Sequence, residues 1–176
     1  MEDLKRLALE YVERHNTMTI ATVGPSGPWA ATVFYASKGF TLYFLSNPSV
    51  CLHCRNISQD PRVAVAISED YKIRTFRDIK RIKGVQMEGR AEMLEAEEEI
   101  REAIELYANK FPITSFYLRS TFGQPNPSFL ETLMRRLIAL PKLSPSKENR
   151  FYRIRPLRVF LVDNERSFER RQEIPL

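Results

Sequence analysis

The chain has 176 residues, 43% hydrophobic and 28% charged, with a net charge of +5; this is the make-up of one globular domain large enough to bury a core. No apolar run approaches the roughly 18–20 residues of a membrane span, Met1–Glu10 lacks the apolar stretch of a secretory signal, and Cys51 and Cys54 alone make no disulfide scaffold. A single domain over 1–176 in the cytoplasm is therefore expected.

In chain order, Leu4, Leu7, Ala8, Tyr11 and Val12 fall on one helical face, which predicts a helix over about 3–15. Thr17–Val23 alternates and is β-branched, so it predicts a strand. Gly24-Pro25-Ser26-Gly27 is a turn; Trp29–Ala36 and Phe40–Ser46 are the next two strands of an antiparallel meander. Asn47-Pro48-Ser49 opens a short helix to about Gln59. Arg62–Ser68 is a fourth strand, small or apolar on both faces. A charged loop, Glu69–Arg81, precedes a long fifth strand, Ile82–Leu94, in which Gly84 and Gly89 predict a bulge, a bend or a close backbone contact. Ile100, Ala103, Ile104, Tyr107 and Phe111 mark a second amphipathic helix, with acids in its first turn and Lys110 near its end. A third helix is expected from Asn126-Pro127 to Pro141. Phe151–Val162 is the last long strand, with a bend expected at Pro156, and a shorter one follows at 168–174. Strands in meander order with helices between them predict a mainly β (α+β) fold: an antiparallel six-stranded split β-barrel with flanking helices, any ligand lying outside the filled barrel.

Positive charge concentrates in residues 135–171, with 11 Lys/Arg against 4 Asp/Glu. Such a tail suits nucleic acid, a small anionic cofactor or plain solvent. Lys72, Arg74, Arg77, Lys80, Arg81 and Lys83, interleaved with Tyr71 and Phe76, likewise resemble a nucleic-acid-binding stretch; a solvated loop explains them equally simply, and nucleic acid is not expected as a partner. The densest polar chemistry is Ser46–Asn56, where a strand end meets a helix start. Free backbone N–H groups, the Ser46 and Ser49 hydroxyls, His53 and Arg55 together suit a phosphate; a simply capped helix is the plainer alternative. Cys51 and Cys54 share a helix face, which fits a dithiol or one core cysteine. A zinc site needs about four ligands, and only His53 is near. With two histidines in all, His15 and His53, a multi-histidine metal centre is not expected.

Thr19–Val23, Ala31–Tyr35 and Leu42–Ser46, followed by Cys51–Ile57 and Asp60–Val65, resemble the opening of pyridoxamine-phosphate-oxidase-like proteins. Ile82–Ala91 is similar to their strand with a polar residue before glycine. The Gly-Val-Gln strand, Lys110-Phe111-Pro112 and Cys51-x-His53 resemble an uncharacterised bacterial subgroup. The likeness spans about 4–112 and 150–171, leaving 113–149 as a helical insertion. It implies a split-barrel homodimer with two flavin mononucleotide (FMN) sites at the subunit contact and a flavin-dependent oxidoreductase acting on a small molecule. By carry-over, Thr32, Val33 and Phe34 lie along the isoalloxazine; Ser46, Cys51 and His53 face the phosphate; Gln86 reaches the ring or ribityl chain. Arg55 and Asn56 complete the implied cofactor site. His53 stands where the family has a phosphate lysine and Cys51 where it has a serine. The tail lacks the substrate-binding arrangement of the vitamin B6 oxidase. The alternative on the same fold is a non-catalytic haem- or flavin-binding protein, with His15 or His53 as the haem ligand.

Overall fold

The computed structural model describes residues 2–114, 118, 148–168 and 170–176; the helix expected from Asn126 lies outside the described residues. These form seven strands of one antiparallel sheet: β1 (Thr17–Gly24), β2 (Gly27–Lys38), β3 (Thr41–Ser46), β4 (Arg62–Ser68), β5 (Lys83–Met93), β6 (Arg150–Asp163) and β7 (Arg171–Ile174). The order is β3-β2-β1-β4-β5-β6-β7, and β3 also pairs with β6. Six strands thus close the expected barrel, and β7 is a short addition to the outer length of β6.

Period-two alternation decides which side chains enter. On β4, Val63, Val65 and Ile67 are buried while Arg62, Ala64, Ala66 and Ser68 are exposed. Met18, Ile20, Leu42, Phe44, Val85, Met87 and Ile154 complete a filled interior, as expected of a small barrel. The glycine reading of β5 holds at Gly89. Glu88 faces Arg158 but Gly89 faces Pro156, leaving Leu157 as the extra residue of a bulge. A Cβ on Gly89 would lie 2.7 Å from the Arg155 carbonyl oxygen. The bend expected at Pro156 is this bulge, where a residue without an N–H is tolerated, and β6 runs through it.

Two strands change neighbours along their length. β6 pairs with β3 over Arg150–Ile154 and with β7 over Val159–Val162. β2 pairs with β1 over Gly27–Phe34 and with β3 only over Tyr35–Lys38. Among the described residues no strand covers the β3 side of Gly27–Phe34; this gap is the split.

Helices close the two ends. α1 (Glu2–Arg14) buries Ala8, Tyr11 and Val12. The Tyr35 hydroxyl donates to the Val12 carbonyl, and the Tyr11 hydroxyl donates to the Lys83 carbonyl at 2.9 Å. α2 (Leu52–Gln59) packs across the opposite end against β1, β2 and β5. It starts later than expected because Asn47–Val50 forms a turn: the Asn47 side chain accepts from the Ser49 N–H at 2.9 Å and its carbonyl accepts from the Cys51 N–H at 2.9 Å. An asparagine that caps its own turn competes with helix. The loop after β4 holds a short helix, α3 (Phe76–Lys80), whose Asp78 carboxylate accepts from the N–H groups of Arg74 and Thr75. α4 (Glu97–Lys110) lies outside the barrel, packing Ala103, Ile104 and Tyr107 on Ala36, Tyr43 and Phe151. No helix among the described residues is long and apolar enough to cross a membrane.

Candidate functional site

The α2 end of the barrel carries polar groups where a core would ordinarily be apolar. Ser46, the last residue of β3, is buried, and its Oγ lies 2.9 Å from Nε2 of His53. His53 is 5% exposed and sits 6.0 Å from the Phe44 ring; burial holds its pKa below the ordinary value, favouring the neutral imidazole. Cys51 is the N-cap of α2 in extended conformation and makes no side-chain capping bond; no acid stands in the first turn. The Cys54 N–H donates to the Cys51 carbonyl at 3.2 Å, while the Leu52 and His53 N–H groups meet neither a side-chain capping oxygen nor a first-turn carboxylate, which is the condition an anion needs.

Cys54 lies one turn on, 2% exposed, its thiol pushed up by burial. Tyr152 packs with it in the same buried cluster. Tyr152 stacks on Phe44 at 5.0 Å. Donor atoms of Cys51, His53 and Cys54 all fall within 4.8 Å of one another, and both cysteines are free thiols.

Asn56 faces inward. Its amide donates to Thr22 Oγ1 at 3.0 Å, and both residues are buried. A Cβ on Gly24 would come within 2.1 Å of Asn56 Oδ1, so only glycine leaves room for this link between α2 and β1. Arg55 points outward from α2 and is exposed, with no ion pair among the described residues.

The three β2 residues flank the split. Thr32 is exposed on the outer face, Val33 is half-buried, and Phe34 is 60% exposed with its ring edge-on to Phe111 at 5.8 Å. The last β2–β3 pair is Tyr35 with Phe44; beyond it the strands part, with Phe34 and Val33 on one side and Leu45 and Ser46 on the other. Thr32–Phe34 and Ser46 are thus both at the edge of the split.

Gln86 is not. The register runs Thr32, Thr19, Ala66, Gln86 across β2, β1, β4 and β5, three strand spacings or roughly 14 Å. Gln86 lies in a shallow groove of about 260 Å³ with Thr19, Ala64, Ala66, Phe160 and Arg171. Arg171 donates to Gln86 Oε1 at 3.3 Å and stacks its guanidinium on Phe160 at 4.1 Å. Around the groove the sheet face is small, uncharged and exposed at Thr17, Thr19, Ala64 and Ala66. A second depression, by Thr75, Phe76, Arg77 and Lys80, lies on α3 away from all candidate residues.

Much of the charge on β6 is matched within the chain. Arg153 pairs with Glu92 and Glu99 at 2.7 and 2.6 Å, and Arg158 with Glu173 at 2.9 Å. Lys83 pairs with Glu165 at 2.7 Å. A nucleic-acid footprint needs such cations free for phosphates. His15 is likewise engaged, Nδ1 at 2.7 Å from the Tyr11 carbonyl and Nε2 at 2.8 Å from Glu69. The sequence signal for Cys54 was present in the Cys-x-His-Cys run; that for Tyr152 was absent, since only the β3–β6 pairing brings it here.

The sequence profile of the pyridoxamine 5'-phosphate oxidase family matches residues 4–162. No curated protein matches the chain. Among solved structures, the chain is similar to the conserved hypothetical protein Rv2991 of Mycobacterium tuberculosis, at 18% identity, TM-score 0.63, covering 97% of this chain and 91% of that one. It is similar to a heme binding protein of Mycobacterium smegmatis at 20% identity and TM-score 0.62, covering 95% of this chain but 57% of that longer one. It also resembles an FAD-binding protein of Mesorhizobium loti, at 16% identity and TM-score 0.58, covering 89% and 91%. At these identities the likeness is one of fold.

Proposed function

The chain belongs to the pyridoxamine 5'-phosphate oxidase family, and from that premise we propose that it is a cytoplasmic, homodimeric FMN-binding unit that uses the flavin for oxidoreductase chemistry on a small molecule. The observation that carries the reading is the uncapped, acid-free start of α2, beside Ser46, Cys51 and His53 at the split. The phosphate binds there, taking N–H groups from α2 and hydrogen bonds from the imidazole and Ser46; Arg55 adds charge from the rim. Thr32, Val33 and Phe34 line the isoalloxazine. Asn56 acts at one remove, fixing α2 on β1 through Thr22. The flavin when bound supplies the electron transfer, and the protein supplies orientation and exclusion of water.

The roughly 14 Å between Thr32 and Gln86 argues for a two-chain site. Gln86 serves the flavin of the other subunit, and the small neutral face of Thr17, Thr19, Ala64 and Ala66 supplies the contact. Two free thiols fit a reducing compartment. The test is titration of the purified chain with FMN, followed by flavin fluorescence, together with light scattering. Saturable quenching and a dimer are expected. No quenching at micromolar flavin sinks the FMN reading, and a monomer sinks the shared site.

A second reading, haem binding without turnover, draws on the buried His53 and on the Mycobacterium smegmatis neighbour. It requires His53 to leave Ser46, or His15 to leave Glu69. A Soret band on haem titration that His53→Ala abolishes would favour it over the flavin.

A further inference from the structure

We propose that Cys51, His53 and Cys54 form a binding site for one thiophilic d10 metal ion, Zn(II) or Cu(I), at the α2 end of the barrel. Three observations carry this. The donor atoms lie within 4.8 Å of one another. An ion bound at about 2.3 Å from sulfur and about 2.0–2.1 Å from nitrogen holds its ligands about 3.5–4 Å apart, so small side-chain rotations close the site without moving the backbone. Next, the fold gives the site an inside and a mouth: His53 and Cys54 are 5% and 2% exposed, while Cys51, at the N-cap, is half-buried and opens to solvent. Finally, an outer shell is in place. Ser46 holds the imidazole at 2.9 Å, and Tyr152, stacked on Phe44, packs in the same core cluster as Cys54. Such partners orient ligands in established metal sites.

The donor set selects the ion. Two thiolates and an imidazole are soft to borderline ligands, and the cluster has no carboxylate; this favours Zn(II) or Cu(I) over Mg(II) or Ca(II). Three protein ligands satisfy trigonal Cu(I) and leave tetrahedral Zn(II) one open position on the Cys51 side. The site goes beyond the flavin reading but shares Cys51 and His53 with it, so ion and flavin phosphate compete.

The experiment uses the full chain, reduced, flavin-free and metal-free. It is titrated with Zn(II) against a chromophoric chelator and, separately, with Cu(I) against a Cu(I)-selective chelator. One of the two ions is expected to bind at one per chain, with binding lost in His53→Ala and in Cys51→Ser, the latter at a half-buried position that spares the fold. Ser46→Ala is expected to weaken binding about 10- to 100-fold. Co(II) loading supplies a second readout, thiolate-to-cobalt charge-transfer bands in the near ultraviolet. The proposal is overturned if neither ion competes with its chelator, if Cys51→Ser and His53→Ala bind as the parent does, or if Co(II) binds without thiolate bands. FMN titration in chelator-treated buffer is scored separately: flavin binding without metal binding overturns this proposal alone, and metal binding without flavin overturns the flavin reading alone.

Discussion

The two ends of the barrel are stoppered by helices of opposite character. At the α1 end the contacts are apolar side chains with hydroxyls donating to backbone carbonyls, Tyr35 to Val12 and Tyr11 to Lys83. At the α2 end Thr22, Ser46, His53 and Asn56 are all buried. Burying polar groups costs free energy unless each finds a partner. The first end needs only to pack; the second is held in a polar arrangement that packing alone does not demand, which fits the binding site proposed above.

The comparison breaks most readily on stability. Val12→Ala removes two fully buried methyl groups from the α1 end and is expected to cost about 2–3 kcal/mol in chemical denaturation, with FMN affinity unchanged. A matching fall in affinity would show that the ends are not separate. Next in size is Gly24→Ala, which drives a Cβ into Asn56 and breaks its bond to Thr22. The expected loss is about 1–3 kcal/mol, and it should shrink in an Asn56→Ala background, where the obstruction is gone. An undiminished penalty would place the strain in the backbone instead.

His53→Ala sharpens the contrast from the other side. FMN affinity of the folded variant should fall about tenfold, equivalent to about 1.4 kcal/mol, alongside a stability loss of about 1–3 kcal/mol from the Ser46 hydroxyl left without its partner. The smallest effect is in pH. Burial at the end of α4, where its ammonium lies 4.0 Å from the Tyr35 ring centre, lowers the Lys110 pKa from 10.5 to about 8. Between those values the unfolded chain binds more protons than the folded one, so this group makes stability rise with pH from about 8 to 10.5. Below pH 8 its charging penalty is present in full. Lys110→Met should flatten that rise; an unchanged slope would assign it elsewhere.

The same contrast explains what was legible in the sequence. Strands such as β1 are announced by alternation, because Met18, Ile20 and Thr22 share one buried face. The family motifs marked the α2 corner through Ser46, Cys51 and His53. α3 escaped because five residues, three of them charged, are too few to present an apolar stripe; its one signal was Thr75 three residues before Asp78, a capping pattern. The pairing of β3 with β6, which brings Tyr152 beside Cys54, escaped because register between distant strands leaves no local trace. Cys54 looked like a choice between core and chemistry, yet it is a core residue whose neighbours are Cys51 and His53.

That seam between β3 and β6 also bears on how the molecule forms. Residues 42–46 must find residues 150–154, whereas the β1–β2–β3 meander and the β4–β5 pair join near neighbours. Closing so long a loop is slow, although lengthening it adds little: each doubling costs about 0.6 kcal/mol. The loops within the intervening segment, as distinct from its strands and helices, can therefore vary in length with small effect on stability. A seam that closes last predicts that weakening it, as by Leu42→Ala, hastens unfolding far more than it delays folding, a prediction that the two arms of a denaturant chevron check.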